Sequence, residues 1–165
     1  MTGIIITFLL VLIIGLIIYT HIQVVPKTKI YVIERNGKYL KTCESGLIFL
    51  IPFIDKVKAK LNSQTNYLKV EPIEIETNDL IKKIISFNDI GYSINDVKKL
   101  IYGHPNYNTE FLNIIYNVSI NTLKNYLSQE LISYKADIEK IIKDTLNIKV
   151  KSFGITITNL KITTN

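Results

Sequence analysis

An uncharged apolar stretch of nineteen residues, Ile4 to Ile22, constrains this chain more than any other feature, because such a segment has no face suited to water. Thirteen Ile, Leu, Val or Phe side chains lie between Ile4 and Ile18, and only Thr7, Gly15, Thr20 and His21 interrupt the run in character. As a helix rising about 1.5 Å per residue, the run would cover ~28 Å, close to the thickness of a bilayer's hydrocarbon core. At roughly 0.3–0.6 kcal/mol for each such side chain, insertion is favoured by about 4–8 kcal/mol. Isoleucine's β-branch weakens a helix in water, but in lipid the backbone can bond only to itself, so the helix forms regardless. A cleaved signal peptide fits less well: Met-Thr-Gly supplies no charged start, the apolar core is too long, and no small-x-small site follows. Residues 1–23 are therefore expected to be a transmembrane anchor. No Lys or Arg precedes it, whereas Lys27, Lys29, Arg35, Lys38 and Lys41 follow, opposed by Glu34 and Glu44. The positive-inside bias then predicts a single-pass protein with its N-terminus outside and its C-terminal body cytoplasmic.

The charge of the body is unevenly placed. The net charge is +6, yet residues 24–60 carry eight Lys/Arg against three Asp/Glu, and residues 61–165 carry twelve against eleven. Basicity concentrated beside an anchor suits an anionic leaflet, where each cation contributes on the order of 1 kcal/mol. Nucleic acid is the competing partner for a basic chain, but no helix-turn-helix, zinc-ligand set or aromatic-basic motif is present, and the charge lies at the membrane end. Cys43 is the single cysteine, so no internal disulfide can form. Its position admits either a half-buried thiol or an acylated one.

Periodicity divides the remainder. Lys29 to Arg35 and Lys38 to Thr42 read as strands joined at Asn36-Gly37, a dipeptide that favours a tight hairpin turn. Gly46 to Ile54 is an apolar run with Pro52 inside it, too short to span a bilayer; it either packs in a core or dips into the near leaflet. Lys56, Lys58 and Lys60 alternate with Val57, Ala59 and Leu61, the period-2 pattern of a strand with one basic face. Tyr67–Ile75, broken at Pro72, and Leu80–Ile94 suggest further antiparallel strands. Asn95 or Asp96 can cap a short helix through Tyr102, ended by Gly103 and Pro105. Longer helices are expected over Thr109–Tyr126, with Phe111, Ile115 and Val118 inward, and over Tyr134–Leu146. The latter has Tyr134, Ile138, Ile141, Ile142, Thr145 and Leu146 on one face and a Glu139–Lys143 pair on the other. The closing strand carries Ile155 and Ile157 in one phase and Leu160 and Ile162 in the other, so a bulge near Asn159 is expected.

Several ordered motifs resemble the stomatin/prohibitin/flotillin family, known as SPFH or band 7, on its stomatin-like branch. They are Val25-Pro26, then Glu34-Arg35-x-Gly37-Lys38-Tyr39, then Gly46-Leu47-x-Phe49-x-Ile51-Pro52-Phe53-x-Asp55. Looser matches follow in Thr77-Asn78-Asp79, in Tyr92-x-Ile94-x-Asp96 with Tyr102, and in Ser152-Phe153-Gly154-Ile155-x-Ile157, so the resemblance covers about residues 20–163. Departures are Leu80 where the family often has Asn, Ser45 where it often has Pro, and Tyr134-Lys135-Ala136-Asp137 in place of an Arg-Glu. The usual C-terminal coiled coil is not expected, since no heptad seam is present before Asn165. The resemblance implies an α+β fold: the anchor, then an SPFH domain over 24–165, with an antiparallel-sheet, membrane-proximal part over about 24–76 and a mixed sheet-and-helix part over 77–165.

No pattern in the chain carries catalysis or a cofactor. His21 and His104 lack metal-spaced company, Glu71, Glu74, Glu76 and Asp79 read as a solvated acidic patch, and no phosphate loop or nucleophile elbow occurs. Asn117-Val118-Ser119 matches a glycosylation sequon but falls inside an expected helix. The expected protein is therefore not an enzyme and binds no metal or cofactor. It is a membrane-anchored scaffold that self-associates as a homo-oligomer, or hetero-oligomerises with SPFH proteins, and clusters lipids and membrane proteins at one leaflet. Family resemblance implies partners such as membrane proteases, channels or transporters. The alternative is a regulatory subunit that docks into a full-length relative's assembly or onto a membrane protease. The residues expected to contact the membrane are Leu47, Phe49, Ile51, Phe53, Lys56, Lys58 and Lys60.

Overall fold

The computed structural model describes the backbone of residues 2–164 and the side chains of all of these except positions 2, 18, 20 and 89. The chain forms two compact units, Met1–Ser63 and Gln64–Asn165.

The first unit begins with helix α1, Thr2–Thr20, whose described side chains are exposed on every side, with no polar stripe. Ile18 and Thr20, part of the expected anchor, lie outside the described side chains. Among the described residues no helix is long and apolar enough to cross a membrane. The structure thus gives an apolar helix where a membrane-crossing one is expected, and the single-pass orientation does not follow from it.

Five strands complete this unit: β1 (Ile22–Val25), β2 (Lys29–Arg35), β3 (Lys38–Cys43), β4 (Gly46–Phe49) and β5 (Asp55–Asn62). Strand β2 lies between β3 and β5, all antiparallel, while β1 and β4 pair as a separate ribbon. Asn36 and Gly37 close the β2–β3 hairpin with φ of 51° and 76°, the doubly left-handed geometry of a two-residue turn. A small core of Val25, Tyr31, Ile33, Ile48 and Leu50, joined by Cys43 and Val57, is shared by ribbon and sheet. Cys43 is therefore a half-buried packing thiol, opposite Tyr31 in the ladder.

The second unit contains β6 (Asn66–Leu68), β7 (Ile73–Glu76), β8 (Lys82–Ile94), α2 (Tyr107–Leu123), α3 (Glu130–Ser133), α4 (Lys135–Val150) and β9 (Ile155–Thr164). Strand β8 pairs antiparallel with β6, β7 and β9, which gathers residues 64–76 into this unit by their hydrogen bonds. Helix α4 buries Ile138, Ile142, Leu146 and Val150 at a strict four-residue spacing against the core that Phe111, Ile115 and Leu123 of α2 share with the sheet. The phase change of the last strand is absorbed as the alternation predicts. Gly91 pairs with Asn159 and Tyr92 with Ile157, so Thr158 is an extra residue in β9.

Three expectations change on this side of the molecule. The short helix after Asp96 is a π-helical turn, Lys99–Gly103, with the Asp96 carboxylate accepting the Lys99 N–H at 3.0 Å. Glu139 and Lys143 do not pair with each other. Glu139 Oε1 accepts the Ile162 N–H at 2.9 Å, Lys143 Nζ donates to the Thr158 carbonyl at 2.8 Å, and Asn147 Oδ1 accepts the Ile157 N–H at 2.7 Å. Together these three α4 side chains satisfy backbone groups of β9 that no strand pairs, which also blocks edge-to-edge association there. Tyr134 and Ile141, expected inward, are exposed.

Candidate membrane-contact surface

The β1–β4 ribbon sorts its side chains by strand parity. Ile22 stands opposite Phe49 and Val24 opposite Leu47 on one face; Gln23 stands opposite Ile48 and Val25 opposite Gly46 on the other. Val25 and Ile48 enter the small core, which fixes the register, since a one-residue slip would exchange the faces. The outward face is left wholly apolar: Leu47 is 75% exposed and Val24 67%, with Ile22 and Phe49 about half exposed. Chain continuity places this face directly after α1. Exposed apolar groups are ordinary singly, but four that face each other across two strands beside an apolar helix form a surface that water does not favour.

After β4 the chain turns back through residues 51–55, and Phe53 stands at the tip, 99% exposed with φ of 64°. A bulky side chain in the left-handed region costs on the order of 1–2 kcal/mol and persists only where its surroundings hold it. Here the hold is explicit. The Ile54 and Asp55 N–H groups donate to the Ile51 carbonyl, and the Asn36 N–H donates to the Ile54 carbonyl. The Asp55 carboxylate accepts the Ile51 N–H at 3.0 Å and two Arg35 bonds at 2.8 and 3.0 Å. Its side chain is only 2% exposed. The Arg35 hydrogen bonds, then the Ile51 N–H, hold the Asp55 pKa down at about 2, and Asp55 in turn raises that of Arg35. The turn therefore presents Phe53 to its surroundings on a braced backbone.

Of the residues expected to touch the membrane, Leu47 and Phe49 lie on the outward face of the ribbon and Phe53 at the exposed turn tip, while Ile51 is half-buried because the turn begins at it. Lys56, Lys58 and Lys60 are all exposed along β5, as their alternation predicts, but a register shift sets Lys60 opposite Tyr31 and Lys56 opposite Glu34, which point to opposite faces of β2. They are not equivalent. Lys58 Nζ lies 3.4 Å from Glu34, Lys60 Nζ sits 5.0 Å over the Tyr31 ring, and Lys56 and Lys60 share a depression with Phe53. Sequence reasoning missed Ile22, which it merged with the anchor, Val24, which it placed at the start of the following domain, and the Arg35–Asp55 brace. The alternation Ile22-Gln23-Val24 carries the signal for the first pair.

The other candidates resolve into structural roles. His104 Nδ1 lies 2.8 Å from Glu110 Oε2, and its ring stacks on Phe153 with centroids 3.8 Å apart. In the acidic patch, Glu74 pairs with Lys82 at 2.9 Å, and Asp79 accepts bonds from Ser128 N and Oγ and from Thr77 Oγ1. Those bonds, Ser128's first, keep the Asp79 pKa at about 2. Among the described residues no three His, Cys, Asp or Glu side chains are placed to hold a metal ion. Ser119 of the sequon is fully buried inside α2.

Comparison with known proteins agrees with the motifs. The chain is 51% identical over 39 residues to a stomatin-like protein of Caenorhabditis elegans, covering 24% of this chain and 12% of that one. It is 33% identical over 75 residues to an uncharacterized protein of Methanothermobacter thermautotrophicus, covering 46% of this chain and 23% of the relative. An uncharacterized protein of Mycobacterium tuberculosis is 35% identical over 74 residues, 44% of this chain and 19% of the relative. The matched part thus spans less than a quarter of each of these relatives. A model of the SPFH domain / Band 7 family matches residues 23–164, and the chain belongs to that family.

Proposed function

We propose that this protein is a non-enzymatic scaffold held at a membrane, where its SPFH domain self-associates and gathers lipids and membrane proteins at one leaflet. The observation that carries this reading is the apolar exposure of α1, of the outward face of the β1–β4 ribbon and of the braced Phe53 tip, all within the first unit. Family membership supports it, since SPFH proteins are generally membrane-associated and oligomeric. Helix α1 supplies attachment: its described residues between 4 and 17 are apolar apart from Thr7 and Gly15, and at roughly 0.3–0.6 kcal/mol each they favour hydrocarbon over water. The ribbon and Phe53 then enter the near leaflet, and the β5 lysines face its headgroups. Lateral contacts between copies, or with other SPFH proteins, build the cluster that modulates membrane proteases, channels or transporters.

The test is Phe49→Asp combined with Phe53→Asp in the full chain, expressed in membranes and cross-linked in place. Both side chains are exposed, so the fold is retained and α1 keeps the protein resistant to alkaline carbonate. Cross-linked clusters are expected to shrink. Clusters of unchanged size would refute the role of the ribbon, and release of the parent protein by carbonate would refute attachment through α1.

A further inference from the structure

The depression beside Phe53 has a chemistry of its own. Its volume is about 450 Å³, and its lining includes Lys56, Lys60, His21, Gln23, Phe53 and Asp55. Neither Lys56 nor Lys60 makes an ion pair among the described residues, whereas Lys58 on the same strand is engaged by Glu34. Glu34, the residue opposite Lys56 in the β2–β5 ladder, already has Lys58 as a partner. Asp55 is held by Arg35 and the Ile51 N–H, so it enters the site as half of a neutral pair. Two lysines therefore lend the site a net positive charge. Lys60 is ordered there by the Tyr31 face under its ammonium. His21 immediately follows α1 and donates Nδ1–H to the Ile17 carbonyl at 2.7 Å, which ties the rim to the end of the apolar helix.

We propose that this depression binds the phosphate of one anionic lipid headgroup, with the lipid's hydrocarbon held against the Phe53 ring. The volume falls within the ~300–1,000 Å³ range of small-ligand sites. A free phosphate would be served by the lysines alone. The fully exposed Phe53 ring in its lining adds nothing for such an ion, but it suits a ligand with a charged head and a hydrocarbon tail. This assignment rests on the membrane attachment proposed above.

The chain contains no tryptophan, so Phe53→Trp places a single indole at the rim. The full chain carrying it is reconstituted in phosphatidylcholine vesicles containing a minor fraction of either brominated phosphatidylglycerol or brominated phosphatidylcholine, and quenching is compared at equal bromine content. Each lysine near an anionic group is worth about a fivefold preference, so brominated phosphatidylglycerol should quench at least fivefold more per molecule. Lys56→Gln with Lys60→Gln should bring the two lipids to parity. Lys56→Arg with Lys60→Arg should keep the preference, as should Lys27→Gln, which removes a charge away from the depression. A preference that survives the double Gln variant, or one abolished by millimolar inorganic phosphate, overturns the headgroup assignment. Equal quenching by both lipids in the parent overturns it as well while leaving membrane attachment standing. No quenching by either lipid overturns contact of the Phe53 tip with the leaflet, and with it the headgroup assignment.

Discussion

Leu80 is the position where the structure makes its sharpest energetic claim. It is a non-glycine residue at φ of 60°, in a turn closed by the Leu80 N–H to the Thr77 carbonyl at 2.9 Å and the Thr77 N–H to the Ile81 carbonyl at 3.0 Å. A leucine in that conformation costs about 1–2 kcal/mol, whereas asparagine tolerates it. Leu80 is 77% exposed, so removing it gives up about a quarter of the ~1.5–3 kcal/mol a fully buried leucine contributes, or roughly 0.5 kcal/mol. Leu80→Asn should therefore stabilise by about 0.5–1.5 kcal/mol. Leu80→Gly relieves the same strain but widens the unfolded ensemble, a debit of about 0.4–1 kcal/mol, and so should fall between the two. Leu80→Ala keeps a Cβ and loses the contact, and should be no more stable than the parent. At ~4–8 °C per kcal/mol for a unit of this size, Asn should raise the melting temperature by several degrees. The assay is thermal unfolding of the full chain in mild detergent, followed by far-UV circular dichroism. An order with Ala at or above Asn would refute the strain argument. A family preference for Asn at this turn then has a physical cause that this chain forgoes. Leu80 stands exposed beside Ile81 and Ile84, which are about half exposed.

Acid should loosen two ties in concert. Asp55 and Asp79 are held at about 2 against an ordinary 3.8. With the folded pKa below the unfolded one, the stabilisation is complete above about pH 4 and disappears as pH falls through about 2; tyrosine near-UV dichroism between those values should show it, and Asp55→Asn should flatten the profile. Gly154→Ala should cost about 3 kcal/mol or more, measured by urea midpoint. The residue sits at φ of 71°, and its new Cβ would lie 2.6 Å from the Asp96 carbonyl oxygen. Ser119→Ala should gain roughly 1 kcal/mol in the same assay, because the Ser119 hydroxyl is buried without a hydrogen-bond partner among the described residues.

Much of the fold is legible because its determinants are local. Asn36-Gly37 specifies its turn by backbone preference alone, and the phase change between Ile157 and Leu160 announces the Thr158 bulge before any partner strand is known. The alternation of Lys56, Lys58 and Lys60 announces their exposure, but not the register shift that sets Lys60 opposite Tyr31 and Lys56 opposite Glu34. What escapes is non-local. Glu139 and Lys143 satisfy the helical spacing for an ion pair, yet their partners lie on β9, 23 and 15 residues away, and backbone groups buried at a strand edge outbid a solvent-screened surface pair. Ile141 lies on the other flank of the buried stripe, where it lines an open groove beside Asn121 and Val118 of α2 and stays exposed.

The candidate site follows the same division, with a sharper consequence. Apolar identity alone cannot distinguish Ile48 and Leu50, which are buried, from Leu47 and Phe49, which are exposed, because all four belong to one unbroken hydrophobic run. The choice is made by Val25, which must be buried opposite Gly46, and by Ile33 and Tyr31, which receive Ile48. Once that register is set, the apolar run necessarily serves both readings that its composition allows, core on one face and open surface on the other. Arg35 and Asp55, twenty residues apart, then decide where the run ends and how Phe53 is held. The surface is therefore encoded by polar and core residues that never join it, so substitutions at Arg35 or Asp55 should disturb membrane contact as surely as those at Phe53.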